Sequence, residues 1–264
     1  MSGGGMSGGG ERGVCVVGAG AIGSAVAEAI RGGRVPGARL AAVLRSASTA
    51  AETERAIAVS DLVVEAASVA VARELIPRVT RCGKDVVVCS GGVFAEYPCA
   101  SALIAGPGRV LLPTGALGGF DILAAAARAG TAVARVRHTT IKRPAALGAG
   151  EGVAQPREVF RGSAREAALR FPRTSNSSVT LALATLGLDR VEVVVVADPA
   201  ATCTRHVVEW ESPLGRYELR FENAVDPSSG GRTSAVTAWS VIEVLAALAR
   251  GAGPGVVVLE PRAG

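Results

Sequence analysis

At 264 residues, almost half of them apolar and only 3% aromatic, the chain can bury a full core, and its composition excludes a disordered protein. The 28 Lys and Arg against 23 Asp and Glu leave a charge of +5, but the basic residues are scattered singly with few aromatics among them. That argues against nucleic acid and for small anionic ligands drawn into a cleft. No apolar run reaches the roughly 20 residues that cross a bilayer, so no membrane partner is expected. The five cysteines form no CxxC pair and no ligand spacing with histidine, and no HExxH or GxSxG is present, which predicts reduced thiols in a cytoplasmic protein without a metal site.

The opening MSGGGMSGGG lacks the basic start and apolar stretch of a signal peptide, and residues 1–12 are set aside as a flexible glycine-rich start. From Gly13 to Leu112 short β-branched runs alternate with alanine-rich stretches. The runs are VCVV (14–17), LAAVL (40–44), LVVE (62–65), DVVVC (85–89) and RVLL (109–112), and the spacing predicts helices over 22–31, 49–58, 70–81 and 98–105. That rhythm makes a parallel sheet with right-handed crossovers. The expected fold class is therefore α/β, with an N-terminal Rossmann doubly wound parallel sheet over 13–112.

Within that span, Gly18-Ala19-Gly20-Ala21-Ile22-Gly23 follows a strand and opens a helix. The first glycine of such a loop makes the tight turn, the second lets the backbone approach a pyrophosphate, and the third lets helix and strand pack closely. The helix N-terminus also offers its N–H groups to phosphate. A bare GxGxxG is a common turn, but in this setting it points to a dinucleotide held by Gly18, Gly20, Ala21, Ile22 and Gly23. The acidic residue that takes the ribose 2′-hydroxyl in NAD enzymes is missing, and the second strand ends in Arg45, Ser46 and Ser48 instead. A guanidinium flanked by hydroxyls suits a 2′-phosphate, so NADP is favoured over NAD with dual use open. The alternative is that Arg45 is a plain solvated loop residue.

After PTGALGGFD (113–121) the rhythm changes. A helix is predicted over 119–129, a strand over AVARVRHTTIK (132–142), a loop over RPAALGAGEGVAQP (143–156), and helices near 163–170 and 177–187. The run VEVVVVAD (191–198) follows, then RHVVEWE (205–211) and RYELRFE (216–222) joined by SPLG, a hairpin by its alternation. Thr233 to Arg250 reads as a long amphipathic helix with apolar Val236, Trp239, Val241, Val244, Leu245 and Leu248. The organisation expected is a second α+β mixed-sheet catalytic and dimerisation domain over 113–232, and a C-terminal helix and tail over 233–264 packing back on the Rossmann domain.

Four segments in this order, VVEAAS (63–68), LPTGALGGFD (112–121), FPRTSNSSVTLALA (171–184) and VVADPAATCTRHVVEWE (195–211), follow the glycine loop. Together they resemble the L-aspartate dehydrogenase family from about Gly13 to Arg250. The resemblance implies oxidation of L-aspartate with NAD or NADP to iminoaspartate or oxaloacetate and ammonia, a homodimer, and a supply of NAD biosynthesis. It places the active-site histidine on His206 and cofactor contacts on Asn176 and Ala116, with Ala67 and Ser68 closing VVEAAS beside them. Two departures stand out: Thr174 occupies the first place of an Asn-x-Asn pair, and SGGVF (90–94) replaces a Ser-Val-Gly-Ala-like stretch.

Oxidising an amino acid at its α-carbon needs a hydride acceptor, a group that handles the proton of the ammonium or attacking water, and donors for the carboxylates. The chain has two histidines. His206 begins a β-branched strand after a polar turn, and His138 lies inside VARVRHTTIK; read from the residues alone, His206 is as well taken for a structural histidine, and the resemblance tips it to catalysis. Lys142 and Arg143 are candidates for the substrate carboxylates, with a solvated strand end as the alternative. Arg232 and Thr233 carry a weaker signal of the same kind. Asn176 reads equally as a helix cap, Asp121 as a capping or orienting residue, and GALGG as an approach to the nicotinamide or a plain turn. Two rival functions stay open: another two-domain Rossmann oxidoreductase of the homoserine dehydrogenase or dihydrodipicolinate reductase kind, and a non-catalytic NADP-sensing protein.

Overall fold

The computed structural model describes residues 11–130, 132–148, 154–229 and 233–251. The glycine-rich start up to residue 10, Arg232 and the tail from 252 lie outside the described residues. Five strands, β1 (Arg12–Val17), β2 (Ala38–Leu44), β3 (Leu62–Glu65), β4 (Asp85–Val88) and β5 (Val110–Leu111), pair in parallel in the order β2-β1-β3-β4-β5. The first strand begins inside the segment expected to be flexible, because Arg12 already pairs with Ala38.

Between these strands run α1 (Ala21–Arg31), α2 (Ala50–Ala58) and α3 (Val69–Arg81). Local chemistry sets their starts: Thr49 and Glu52 form a reciprocal capping box on α2, and the Ser68 hydroxyl accepts the Val71 N–H at the start of α3. Strand alternation then divides the core. Val14 and Val16 face Val26 and Ile30 of α1, while Cys15 and Val17 belong with Ile57, Leu75 and Ile76 on the other face. No α-helix forms over 98–105. A single 3₁₀ segment, 100–103, stands there instead, with another at 91–96 before it; the stretch is only about two turns long and is closed by Gly106 and Pro107, too short to offset the cost of an α-helical nucleus.

The second half builds a mixed sheet in the order β10-β9-β6-β8-β7. Its strands are β6 (Arg135–Lys142), β7 (Arg157–Ser163), β8 (Glu192–Ala197), β9 (Thr204–Ser212) and β10 (Gly215–Asn223). Strands β6 and β8 are parallel and the other pairs antiparallel, with β9 and β10 joined as the expected hairpin. Edge strand β7 has no counterpart in the sequence reading; it is charge-rich, contains Gly162 and carries a register shift near Glu158. Helices α4 (Phe120–Arg128), α5 (Ala164–Arg170) and α6 (Asn176–Ala184) accompany this sheet.

The last helix, α7 (Val236–Ala249), returns to the first sheet, where Val241, Ile242 and Leu245 pack in the cluster that holds α1. Of the apolar face expected of it, Val241, Val244, Leu245 and Leu248 pack in that cluster, and two residues turn outward. Trp239 is half exposed, with the Arg34 guanidinium 5.3 Å above its ring, and Val236 is also exposed. Among the described residues, no helix is long and apolar enough to cross a membrane.

Candidate active site

An order of 2-1-3-4-5 reverses between β1 and β3, and parallel sheets bind ligands outside the strand ends at such a point. The glycine loop sits there. Gly18 has φ +114°, and a Cβ on it would come within 2.4 Å of the Ala66 carbonyl oxygen; one on Gly23 would come within 2.0 Å of the Gly18 oxygen. Both glycines therefore hold loops together. Gly20 differs, since a Cβ there would meet nothing within 4 Å, and no side chain caps the helix it starts. Backbone and helix N-terminus are thus open to an anion.

The floor beside this loop is organised by a carboxyl group that the sequence reading passed over. Glu65, fully buried at the end of β3, accepts the N–H groups of Ala67 (2.8 Å), Ser68 (3.0 Å) and Ser90 (3.0 Å) and the Ser90 hydroxyl (2.9 Å). Burial pushes its pKa up, while the four donors pull the other way. The arrangement fixes the β3 and β4 loops against each other. From the opposite side, Asn176 Oδ1 accepts the Gly92 N–H at 3.0 Å, so Asn176 ties α6 to the β4 loop and the N-cap position belongs to Ser175. The turn at Ala116 is held by Asn223 Nδ2, which donates to the Ala116 carbonyl at 2.9 Å, and by the Ser177 hydroxyl, 3.4 Å from the Ala116 nitrogen.

The two histidines come together by strand register. Thr140 of β6 pairs with His206 of β9 and His138 with Val208, so His138, Thr140, Lys142 and His206 point to the same inner face. His138 Nε2 lies 3.1 Å from His206 Nδ1, and His138 Nδ1 lies 2.9 Å from the Ser178 hydroxyl on α6. His206 is 3% exposed, and its Nε2, like Thr140 Oγ1, is buried without a hydrogen-bond partner among the described residues. Burial pulls the pKa of His138 down to about 3, with the Lys142 charge adding to it. His206 is also held well below the usual range, by burial first and then by His138 and Lys142. Burial alone brings Lys142 down to about 8. Asp198 steadies the approach to His206, accepting the Ala200 N–H at 2.9 Å and pairing with Arg205.

These parts line one cleft of about 650 Å³. Gly20, Ala21, Ile22, Ala67 and Ser68 form one wall, Ala116, Asn176 and Thr180 the other, and Lys142 and His206 reach it from the second sheet. One surface therefore joins an anion-binding loop, a buried cation and an imidazole with one unpartnered nitrogen.

Known proteins share this build. Residues 121–248 match the family described as aspartate dehydrogenase, C-terminal, and residues 18–105 match the NAD binding domain of homoserine dehydrogenase. The chain is 39% identical over 197 residues to L-aspartate dehydrogenase 2 of Bordetella bronchiseptica, covering 70% of this chain and 73% of that one. It is 33% identical over 260 residues to L-aspartate dehydrogenase 3 of the same organism, covering 89% and 94%. The chain belongs to the L-aspartate dehydrogenase family. The crystal structure of aspartate dehydrogenase from Thermotoga maritima matches with a TM-score of 0.68 at 26% identity, covering 95% of this chain and all of that one. An archaeal homoserine dehydrogenase in complex with NADPH, at TM-score 0.53 and 13% identity, shares the fold.

In this member of the L-aspartate dehydrogenase family the cleft lining omits Gly18 and Gly23, which shape the loop from behind, and two cations that the sequence singled out. Arg143 is exposed and lines no part of it, because strand alternation turns Lys142 inward and its neighbour outward. Arg45 is exposed beyond the cleft, yet the Gly18 N–H donates to the Leu44 carbonyl at 2.9 Å, so the end of β2 lies against the glycine loop. Ser48 Oγ accepts the Arg45 N–H at 3.0 Å in the turn that follows. Thr233 lines the cleft, and Thr174 does too. Asp121 is exposed in the first turn of α4, whose N-cap is Gly119. Besides Glu65, sequence reasoning missed His138 as the partner of His206, and Arg173, a cation at the cleft. The signal for Arg173 was its place three residues before Asn176.

Proposed function

We propose that the chain oxidises L-aspartate with NAD or NADP, giving iminoaspartate and then oxaloacetate and ammonia. The observation that carries this reading is the buried, unpartnered Nε2 of His206 beside the Lys142 ammonium, in the same cleft as the glycine loop. The residues fit a dinucleotide, since Gly20 leaves open room at an uncapped helix start. Gly20, Ala21 and Ile22 would hold its pyrophosphate on the loop that Gly18 and Gly23 shape, and Ala67, Ser68, Ala116 and Asn176 its nicotinamide end. Bound there, the nicotinamide supplies the acceptor for the hydride that leaves the substrate α-carbon.

Lys142 binds a substrate carboxylate, its cost of burial offset by that partner. As the amine loses its proton and the carbon–nitrogen bond becomes an imine, water adds to that carbon; with His206 at its oxygen, the carbinolamine then collapses, breaking the bond to nitrogen and releasing ammonia. Arg45, exposed at the end of β2, supports NADP over NAD. The same reading takes the protein as a cytoplasmic homodimer that supplies NAD biosynthesis; the dimer and the biosynthetic role rest on the sequence resemblance and the compartment on the unpaired cysteines, and light scattering tests the dimer.

The test is absorbance of the reduced nicotinamide with L-aspartate and either NAD or NADP, with D-aspartate, L-glutamate and L-homoserine beside it. A signal confined to L-aspartate is expected. Turnover of L-homoserine instead, or cofactor binding without any turnover, would overturn the proposal in favour of one of the two rivals.

A further inference from the structure

We propose that His138 and Ser178 are positioning residues that fix His206 as a hydrogen-bond donor, with its proton on Nε2. The three side chains form one line: Ser178 Oγ to His138 Nδ1 at 2.9 Å, then His138 Nε2 to His206 Nδ1 at 3.1 Å. All three are at least 97% shielded from solvent. Each link constrains the next. The Ser178 hydroxyl carries one proton and, among the described residues, has no hydrogen-bond partner but His138. A buried donor left unsatisfied is costly; Ser178 lies behind the cleft wall, where His138 alone can take its proton, whereas His206 reaches the cleft, where water or substrate can accept one, so the hydroxyl donates to His138 Nδ1. His138 is kept neutral by its burial and by the nearby Lys142 charge, so its single proton sits on Nε2 and is donated to His206 Nδ1. His206, also neutral, then carries its proton on Nε2, the atom that has no protein partner.

The line thus runs from the helix α6 to the cleft and delivers an N–H there. Among the described residues His206 Nδ1 pairs with a neutral imidazole rather than a carboxylate, so no negative charge holds an imidazolium there, and the neutral ring works as a dipole beside the Lys142 cation. Such a donor suits the oxygen of the carbinolamine. When the bond from carbon to nitrogen breaks, the electron pair leaves with nitrogen, the carbon–oxygen bond becomes double, and the hydroxyl proton passes to the departing amine. The oxygen gains negative character on the way, and an N–H fixed in advance stabilises it. A neutral imidazole acting as an electrophile has precedent in enzyme chemistry.

This assignment rests on reading the cleft as an aspartate-oxidising site, and the experiment keeps the two apart. The chain has only two histidines, so untagged protein labelled with ¹⁵N in its imidazoles shows four ring-nitrogen signals. At pH 7 His206 is expected to show a protonated Nε2 and an unprotonated Nδ1. Ser178→Ala, two hydrogen bonds away from His206, is expected to move the His206 signals toward a mixture of tautomers. In turnover, His138→Leu is expected to lower kcat about tenfold with the cofactor KM unchanged. His138→Gln, whose amide can donate to His206 Nδ1, should restore most of it. A wild-type His206 protonated on Nδ1, or His206 signals indifferent to Ser178→Ala, would overturn the wiring, and Ser178→Ala decides this even where His138→Leu does not fold. Wild-type protein inert toward aspartate would sink the substrate reading alone, because the tautomers are read without turnover.

Discussion

The two walls of the cleft are made of different material. On the first sheet, recognition is built from backbone: glycines without side chains, an uncapped helix start, and N–H groups aligned by the buried Glu65. On the second sheet it is built from buried side chains, His206, His138 and Lys142, each out of water and each shifted toward its neutral form. Backbone recognition tolerates many sequences around a few fixed glycines, whereas a side-chain cluster depends on every member and on strand register.

That contrast can be broken first at His206. His206→Ala is expected to cut turnover by about 100-fold or more, as loss of a group acting on the transition state does, while fluorescence titration shows cofactor binding largely kept. A matching loss of cofactor affinity would mean the walls are not separable. The reciprocal test is Gly23→Ala, whose methyl would come within 2.0 Å of the Gly18 oxygen. Overpacking of this kind costs about 1–3 kcal/mol, so cofactor Kd is expected to rise at least about tenfold, with the aspartate KM at saturating cofactor nearly unchanged.

Lys142 sharpens the comparison through pH. Its ammonium, brought down to about 8 by burial, is charged below that value and lost above it, so the aspartate KM of the wild type should climb as pH rises past about 8. Lys142→Met is expected to raise KM about tenfold at pH 7 and to remove the climb; a wild-type KM flat from pH 7 to 9 would remove Lys142 from substrate binding. The smallest effect belongs to Arg45, an exposed side chain. Arg45→Ala should reduce the preference for NADP over NAD by about three- to tenfold, read as the ratio of the two kcat/KM values.

The same contrast explains what the sequence made legible. The glycine loop, the five parallel strands and the hairpin rest on local spacing, and local spacing survives into the fold. The His138–His206 pair lies 68 residues apart and exists only through the register that sets Thr140 opposite His206; no local pattern announces it. Lys142 and Arg143 are adjacent cations, and one residue of strand parity separates the cleft from solvent. Glu65 was hidden by its setting, an acid closing an apolar run. The expected helix over 98–105 overlooked how short a stretch Gly106 and Pro107 leave, and the expected face of α7 was right at Val241, Val244, Leu245 and Leu248 but not at Val236 and Trp239, because almost every position of that helix is apolar and periodicity fixes its direction poorly.

The return of α7 to the first sheet means that the chain passes between the lobes twice, once after β5 and once before α7. Gly115, in the first passage, donates its N–H to the Ser240 hydroxyl of α7 at 3.1 Å, so the first passage is fastened to the helix that follows the second. The two sheets also share one apolar cluster, from Cys15 and Val63 to Val193 and Trp210, so they are packed together as well as tethered. A chain cut before α7 would lose both that fastening and the apolar cover of Val14 and Val16.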